Sequence, residues 1–524
     1  MFTIFGCESV KNMSRTGRFL SGMGFSYMTQ ILTMIIGLWL VPFLLFRIGQ
    51  HDYGLWLVGT QIMFYLGLLD LGIVALLPRE VAFATGRAGS IQKADDLPRL
   101  IGETIRVMMG QLPFVVLGAL IAWLMIPADW KALSNPIGLL LIAFVITFPL
   151  RIFAAIIHGL QDYTFQGGVA LFSYVASTAL TIILIVAGTG LYALAIGWLV
   201  LQLMNSLASW HRLRTHFPGV LPESLPRLSR ERALGRLRQG FWVSVNQIAA
   251  VLLTGTDMLI IGKLFGPAAI VPYACTGKLI SVLANQPHML MSAAGPALSQ
   301  IKAGESRARL SEVCISIAQA TLMLSGAVVC VVLSINQGFV GRWVGSVQYG
   351  GYWLTVLILL SMLLRHWNLT VGYTLFCFGY ERRLCLTALL DGLLSVTMIV
   401  PLVWFYGLAG APLGTIIGVC LVSLPLNLSA LARESGLTLW ELVKPLSPWF
   451  VRFVVIMLGA GALARVWVPN TVLLISLTAL GGALVYAVAM FPLTLRYPLG
   501  MYVRPRLFPL VPRMMRALRL GSSV

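Results

Sequence analysis

Apolar runs of about twenty residues recur along the chain and limit its possible folds more than any other feature. A membrane-spanning helix needs about 20 such residues, because about 30 Å of hydrocarbon is crossed at about 1.5 Å per residue. The sequence predicts an all-α, polytopic membrane protein. Its spans, about 14 by this rule, are predicted at 19–46, 53–77, 104–126, 136–158, 168–188, 190–210, 240–264, 269–295, 312–335, 350–376, 384–406, 408–430, 447–468 and 471–493.

The low charge content supports this reading. Of the 524 residues, 58% are hydrophobic and only 10% are charged, whereas soluble domains carry about 25% charged residues to cover a hydrated surface. Lipid is therefore predicted to be the main solvent. Residues 1–18 are polar and basic, with no apolar stretch that would predict a cleaved signal peptide.

The basic residues predict the orientation in the membrane. Most of the 37 Lys and Arg fall in alternate predicted loops, which the positive-inside rule assigns to the cytoplasm together with both termini. The predicted outer side holds Arg47, Lys131, Lys263, Arg342 and Arg465. The net charge of +19 then faces anionic lipid headgroups, and no nucleic-acid partner is expected.

The two halves of the chain resemble each other at an offset of 217 residues. The matched positions are Gln30-Ile31 with Gln247-Ile248, Gly49 with Gly266, Gly190-Leu191 with Gly407-Leu408, and Gly197 with Gly414. Chance matching among 51 glycines is the alternative. A true repeat predicts two six-helix lobes in parallel orientation, with a substrate path between them as in many transporters.

The same reading gives the predicted domain boundaries. They are an N-terminal lobe at 1–210, a basic cytoplasmic linker at 211–239, a C-terminal lobe at 240–432, an extra helix pair at 433–495 and a basic cytoplasmic tail at 496–524. Within the linker, the arginine-rich run 230–238 suits either an interfacial helix or a charge cluster that only sets topology. The tail mixes arginines with apolar residues and is expected to lie on the membrane surface.

Several short motifs resemble those of a known transporter family. They are Asp257 with the run Ile260-Ile261-Gly262-Lys263-Leu264-Phe265-Gly266, Tyr273, Gly159-Leu160-Gln161-Asp162-Tyr163, and Gly190-Leu191-Tyr192-Ala193-Leu194-Ala195. With the span count and the repeat, they resemble the polysaccharide (lipid-linked oligosaccharide) flippases of the multidrug/oligosaccharidyl-lipid/polysaccharide exporter superfamily. The resemblance implies that the first helix of each lobe bends during transport, which makes Gln30, Asn246 and Gln247 candidate cavity-lining residues, with interhelical hydrogen bonding as the alternative for each. It also implies that the final helix pair offers a groove for a polyprenyl tail, with packing as the alternative role.

Charged side chains inside the predicted spans are the candidate site residues, because an ionised group at mid-bilayer costs about 3 kcal/mol or more. Arg151, Arg365, His366 and Lys278 are predicted to bind substrate, since arginine grips phosphate oxygens in a bidentate manner and stays charged. Asp257, Asp391 and Asp70 are predicted to serve ion coupling or gating. Internal ion pairing or snorkelling at a helix end is the alternative for each residue, most of all for Asp70, His158 and His288.

These residues and the resemblance lead to one main functional hypothesis. The chain is expected to move a polyprenyl-pyrophosphate-linked oligosaccharide from the cytoplasmic to the outer leaflet of the bacterial inner membrane, by alternating access, for exopolysaccharide or O-antigen export. Its expected partners are this glycolipid, membrane lipids and polysaccharide polymerase machinery. An ion-coupled multidrug exporter of the same superfamily is the first alternative, and a membrane polysaccharide polymerase is the second.

Enzymatic activity is not expected, so no catalytic residues are assigned. The predicted outer loops are short, and the sequence contains no GxxxxGK[ST] nucleotide-binding loop. Seven scattered cysteines lie mostly in apolar runs without any CxxC spacing. They are predicted to be buried thiols, and no metal site, disulfide or cofactor is expected.

Overall fold

The computed structural model describes residues 15–88, 96–127, 130–226, 230–284 and 307–507. These ranges contain helices and turns but no β-strand, which confirms the all-α prediction. Several predicted features lie outside the described residues, namely His288, the end of the span at 269–295, and the part of the basic tail beyond residue 507.

The chain divides into two units, Met1–Val251 and Leu252–Val524. The described helices of the first unit are α1 (Arg15–Gly67, two helical segments that meet at a kink at Gly49), α2 (Ile73–Ala88), α3 (Asp96–Leu124), α4 (Lys131–Thr147), α5 (Arg151–Gly159), α6 (Tyr163–Val186), α7 (Leu191–His216) and most of α8 (Arg230–Thr254).

The second unit begins with the last turn of α8. The described helices that follow are α9 (Thr256–Phe265), α10 (270–284), α11 (Arg307–Trp343), α12 (Tyr352–Cys377), α13 (Glu381–Tyr406), α14 (Gly410–Gly418), α15 (Leu424–Ser435), α16 (Leu439–Val443), α17 (Ser447–Val466), α18 (Val472–Thr494) and α19 (Gly500–Leu507).

Ten described helical stretches are long and apolar enough to cross a membrane, and two bent helix pairs raise this number to 12. The bends are 49° between α4 and α5 and 41° between α8 and α9. A polytopic membrane protein is therefore confirmed. Two stretches, Met28–Asp70 with 43 residues and Glu381–Ser435 with 55 residues, are each about twice the length of one span. The count of 14 spans stays a prediction.

The second predicted span, 53–77, is wrong as a continuous helix. The first helix ends at Gly67, a 3₁₀ turn occupies Leu68–Asp70, and both Leu71 and Gly72 have positive φ angles of 50° and 73°. The carboxylate of Asp70 accepts the backbone N–H of Gly72 at 2.8 Å. This local bond competes with helical hydrogen bonding and stops the helix in the middle of an apolar run.

Backbone angles support the internal repeat. Gly49 and Gly266 have nearly the same conformation, with φ and ψ of 82° and 167° and of 85° and 163°. Gly190 and Gly407 also agree, at 59° and −132° and at 62° and −145°. Residues with a side chain rarely adopt such angles. The glycine matches at one offset therefore mark equivalent breaks in the two lobes.

Close helix packing also repeats at this offset. A Cβ on Gly197 of α7 would collide with Thr181 of α6, and a Cβ on Gly414 of α14 would lie 2.5 Å from Ile399 Cγ1 of α13. Small residues let helix backbones approach in this way within membranes. The repeat thus preserves a packing contact between the fifth and sixth segments of each lobe.

The Gly159-to-Tyr163 motif connects the start of α6 to the end of α7. Asp162 forms an ion pair with Arg212 at 3.0 Å, and the Arg212 guanidinium lies 4.9 Å from the ring of Phe165. In the second unit, the Tyr380 hydroxyl at the start of α13 donates to Glu434 of α15 at 2.6 Å. In each unit, a polar contact therefore joins the start of the fifth segment to the end of the sixth.

The C-terminal pair α17 and α18 packs on α11. Trp449 and Phe453 of α17 and Tyr486 and Met490 of α18 join the buried cluster around α11. The Trp449 indole donates to the Tyr486 hydroxyl at 3.0 Å. The opposite face of α18 exposes leucines such as Leu477 and Leu480, as expected for a helix in lipid. Its proposed role as a groove for a polyprenyl tail stays a prediction.

The predicted linker is helical at both ends. The helix α7 continues to His216, and α8 already begins at Arg230. The arginine-rich run 230–238 is thus the first part of a helix that continues as an apolar segment. The unit boundary lies inside α8, and the domain limits given by the sequence stay predictions.

The close approach at Gly414 makes a testable prediction. Replacing Gly414 by Ala places a methyl group against the backbone of Ile399, whose N and Cα atoms lie 2.9 Å and 3.0 Å from the built Cβ. Backbone cannot rotate away, so we expect a loss of about 1–3 kcal/mol, which is typical of overpacking. The detergent-solubilised variant should unfold several degrees below the unmodified protein in a thermal assay. Gly459→Ala is the control, because its Cβ meets nothing within 4 Å, and equal midpoints for both variants would contradict the packing argument.

Candidate functional site: two intramembrane arginine–aspartate pairs

The described residues contain one arginine–aspartate ion pair inside the apolar segments of each unit. The first unit has Arg151 with Asp70, and the second has Arg365 with Asp391. Pairing is expected on physical grounds, because a lone ionised side chain in hydrocarbon is expensive. Four of the predicted site residues are therefore brought together in two pairs.

Asp70 is fixed in place by its backbone. It ends the 3₁₀ turn Leu68–Asp70, and its side chain is only 1% exposed. One carboxylate oxygen, Oδ1, accepts the Gly72 N–H, and the Asp70 carbonyl accepts the amide of Gln111 at 3.3 Å. The break after α1 therefore places a carboxylate inside the lobe.

Arg151 lies at the bend between α4 and α5. Pro149 within this bend has no N–H to donate, which favours ending α4 before it, and Arg151 is the first residue of α5. Its Nη2 lies 3.6 Å from Asp70 Oδ2, and its side chain is 35% exposed. This distance is too long for a hydrogen bond. The pair is held by charge alone.

Several polar atoms around this pair lack partners. Among the described residues, Asp70 Oδ2, Arg151 Nη1 and Gln111 Oε1 are buried and make no hydrogen bond. An unmade bond at a buried polar group costs about 1–3 kcal/mol, and more at a charged group. The Arg151 site is therefore a charged cluster with unused donors and acceptors.

The pair in the second unit, Arg365 with Asp391, is fully hydrogen-bonded. Arg365 donates through Nη1 to Asp391 Oδ2 at 2.7 Å and through Nη2 to Oδ1 at 3.2 Å. Ser423 and Ser395 also donate to this carboxylate, at 2.5 Å and 3.1 Å, and Arg365 Nη2 reaches the Thr415 carbonyl at 3.2 Å. Bidentate, charge-assisted bonds of this kind are the strong ones. Asp391 is fully buried, so this pair joins α12 and α13 to α14 and to the turn that follows α14.

A glycine and a π-helical turn make room for the second pair. A Cβ on Gly418 would collide with Ser395 Oγ and Asp391 Oδ1. The turn Val419–Ser423 that follows is π-helical and brings the Ser423 hydroxyl to the carboxylate. Isolated π turns are rare and often occur at functional positions.

The two arginines are comparable but not equivalent in the repeat. The 217-residue offset aligns Arg151 with Asn368, one helical turn after Arg365. Asn368 accepts a hydrogen bond from Asn427 at 2.9 Å. The carboxylate partners also come from different segments, the break after α1 in one unit and α13 in the other. Both lobes thus contain an arginine–aspartate pair, but the paired residues do not occupy equivalent positions in the repeat.

Asp257 and Tyr273, two of the residues that carry the family resemblance, are in contact. The Tyr273 hydroxyl donates to Asp257 Oδ2, and Oδ1 accepts the N–H of Met258 at 3.0 Å. Asp257 lies in the first turn of α9, after the bend at Gly255, where a carboxylate interacts favourably with the helix dipole. Lys278 on α10 is half-buried. Its ammonium group bonds to no described residue, while its carbonyl accepts the Ser281 hydroxyl.

The remaining predicted site residues lie elsewhere. His366 is buried between α11 and α12, where its ring pairs with the Ser325 hydroxyl at 2.8 Å, so it does not share the Arg365 environment. Gln30 and Asn246 are exposed, and Gln247 is half-buried with an unpartnered side-chain oxygen. His158 stacks edge-on with Tyr163. The assignments of these residues to substrate or cavity stay predictions.

Some residues of the site were not predicted from the sequence. Ser395 follows Asp391 by four residues, so the helical period alone could have placed both on one face. Gln111, Gly418 and Ser423 come from other helices, and no spacing rule connects them to their charged partners.

The described residues contain no cluster of three His, Cys, Asp or Glu able to hold a metal. Their six cysteines are free thiols.

Comparison with known proteins identifies the fold and a related family. A family model described as polysaccharide biosynthesis protein matches residues 102–354, a segment that contains Arg151, Asp257 and Lys278. No curated protein matches the sequence. The match covers slightly less than half of the chain.

Three solved structures that are similar to this chain are described as a flippase or as transporters. The lipid II flippase MurJ in an inward closed conformation has a TM-score of 0.65 at 12% identity and covers 91% of this chain and 100% of its own. A multidrug resistance MATE family transporter of the MOP superfamily, in an inward-facing conformation, has a TM-score of 0.58 at 16% identity, with 78% and 95% covered. A MOP superfamily transporter from Pyrococcus furiosus, described as having a binding pocket of reverse polarity, reaches 0.51 at 16% identity, with 80% and 95% covered. Together with the family match, these folds support the predicted resemblance to a flippase family within that superfamily.

The contrast between the two ion pairs can be tested by removing one charge from each. Asp391→Asn leaves Arg365 buried without its counterion, and breaking a buried pair in this way costs about 3–5 kcal/mol. Asp70→Asn should cost less, because no hydrogen bond to Arg151 is lost and an amide oxygen can still accept the Gly72 N–H. Thermal unfolding of both purified variants measures the difference. A larger loss for Asp70→Asn than for Asp391→Asn would contradict the assignment of the tight and loose pairs.

Proposed function

We propose that the protein is a flippase that moves a polyprenyl-pyrophosphate-linked oligosaccharide from the cytoplasmic to the outer leaflet of the bacterial inner membrane for polysaccharide export. The family description of residues 102–354 and a fold shared with a lipid II flippase support this class of substrate. The proposed mechanism is alternating access. Polysaccharide polymerase machinery is the proposed acceptor of the flipped product.

The unpartnered guanidinium nitrogen of Arg151 is the main structural support for this function. It is a permanent positive charge inside an apolar segment, and its Nη1 donor has no partner among the described residues. A pyrophosphate presents several anionic oxygens, and a guanidinium can bind two of them through parallel hydrogen bonds. Such bonds would replace water around the headgroup while it passes the hydrocarbon.

Arg365 has a different role in this proposal. Both of its terminal nitrogens already donate to Asp391, and a third bond reaches Thr415. We therefore assign the headgroup contact to Arg151, with Lys278 as a second candidate because its ammonium bonds to no described residue. The ion that drives transport, with Asp257 as the candidate carrier, belongs to the same proposal.

A multidrug exporter is the second candidate function. The MATE-type fold and a buried carboxylate, Asp70, in the first unit favour it. Yet Asp70 already faces the guanidinium of Arg151, which would repel a cationic drug. Efflux of cationic dyes from cells that overproduce the protein, but not from cells with the empty vector, would favour the exporter over the flippase.

The flippase proposal is tested by deleting the gene and following the lipid-linked oligosaccharide. We expect complete repeat units to accumulate on the cytoplasmic leaflet, where a glycosidase added to inverted membrane vesicles can reach them. Normal delivery to the outer leaflet with loss of chain assembly would instead indicate a polymerase. Unchanged amounts and sidedness would contradict both functions.

Arg151 itself gives a sharper test. Arg151→Gln should reduce polysaccharide export about tenfold or more, because hydrogen bonds to charged groups contribute about 1.5–3 kcal/mol each. Arg151→Lys should retain part of the export, since it keeps the charge but loses the bidentate geometry. Export is measured in the deletion strain at matched membrane abundance. Arg214→Gln, at an exposed arginine that stacks on Trp210 at the end of α7, is the control, and wild-type export by Arg151→Gln would remove Arg151 from the site.

A further inference from the structure

Asp70 is held by several local contacts, whereas Arg151 is not. The carboxylate belongs to a turn held by its bond to Gly72, by the amide of Gln111 and by the left-handed backbone of Leu71. A leucine in this conformation is uncommon and persists only where the surroundings fix it. Arg151 reaches Asp70 with a long, one-third-exposed side chain. Of the two partners, the guanidinium is therefore the one that fewer described contacts hold in place.

The pair neutralises charge without forming hydrogen bonds. Its atoms are 3.6 Å apart, and buried Asp70 Oδ2 and Arg151 Nη1 have no hydrogen-bond partner among the described residues. The second unit shows what a completed pair looks like, since Asp391 receives two bonds from Arg365 and two from serine hydroxyls. Among the described residues, no hydroxyl donates to Asp70 Oδ2. Asp70 Oδ2 therefore neutralises the charge of Arg151 but does not hold the arginine side chain in one position through a hydrogen bond.

Such an arrangement affects any anion that binds Arg151. Because no hydrogen bond to Asp70 has to break, the guanidinium can turn toward phosphate oxygens while giving up only coulombic attraction to Asp70, which the anion itself replaces. The fixed carboxylate nevertheless remains nearby and repels the anion, and this repulsion is strong in a medium of low dielectric constant. Both effects act on the same ligand, the first on its entry and the second on its release.

We propose that Asp70 competes with the pyrophosphate headgroup for Arg151, standing in for the headgroup when the site is empty and promoting its release when the site is filled. This inference rests on the proposed function and extends it. It assigns to Asp70 the regulation of headgroup affinity, and to Gln111 the positioning of the Asp70 turn. The Arg365–Asp391 pair takes no part in the exchange.

The experiment measures binding of geranylgeranyl pyrophosphate to the purified full-length protein in lipid nanodiscs. Inorganic pyrophosphate tests the headgroup alone, and geranylgeraniol tests the lipid tail alone. Asp70→Asn should tighten binding of both pyrophosphate probes at least fivefold and leave geranylgeraniol binding unchanged. It should also slow export in cells, because release becomes limiting. Arg151→Gln should abolish the tightening when combined with Asp70→Asn.

Asp162→Asn is the matched control, since it also removes a carboxylate from an arginine pair in the same unit, and it should leave both affinities unchanged. If Asp70→Asn does not fold, Asp70→Ser replaces it, because a hydroxyl oxygen can also accept the Gly72 N–H. Unchanged or weaker pyrophosphate binding in the folded Asp70 variant would overturn the inference, and so would an equal gain in the Asp162 control. These results are independent of the deletion experiment. Tighter binding in Asp70→Asn without any flipping defect in the deletion strain would reject the proposed function while leaving the anion competition intact.

Discussion

Burying charge in hydrocarbon is the constraint on which this structure depends. An arginine and an aspartate that are each too costly alone become tolerable when they neutralise each other, and the described part of each unit contains such a pair inside its apolar segments. Local backbone irregularities make both pairs possible. A break after α1 and a proline-containing bend before α5 place the first pair, and Gly418 with a π turn places the second.

The two pairs differ in how completely their hydrogen bonds are made. The complete pair, Arg365 with Asp391, serves packing, and the incomplete pair, Arg151 with Asp70, is the one proposed to act in transport. Asp391 has four donors, so Arg365 is fixed and its charge is used inside the lobe. Asp70 has one backbone donor, and Nη1 of the neighbouring Arg151 has no hydrogen-bond partner among the described residues, which suits the ligand contact proposed for it. Replacing a buried ion pair by apolar residues is often neutral or stabilising, so stability alone does not account for a pair with missing hydrogen bonds. Binding an anionic headgroup gives a physical reason for retaining it.

Much of the fold could be predicted from the sequence because its signals are local or periodic. Span length follows from bilayer thickness, and the repeat was visible in glycines such as Gly49 and Gly266 that the backbone requires at equivalent breaks. Asp257 and Tyr273 were identified by resemblance, and they are hydrogen-bonded. The partners of the charged residues were not predictable in this way. Asp391 lies on the helix after Arg365, and Asp70 is 81 residues before Arg151, so no helical period connects either pair. The break at Leu71 was also missed, because a left-handed leucine in an apolar run has no composition signal.

The most direct test of the central claim is an experimental structure of the protein in nanodiscs with a bound polyprenyl pyrophosphate. We expect the pyrophosphate to lie within hydrogen-bond distance of the Arg151 guanidinium. We also expect Arg151 to turn away from Asp70 while Arg365 keeps its two bonds to Asp391. A headgroup bound away from Arg151, with Arg151 and Asp70 closed into a bidentate pair, would contradict the proposed role of Arg151.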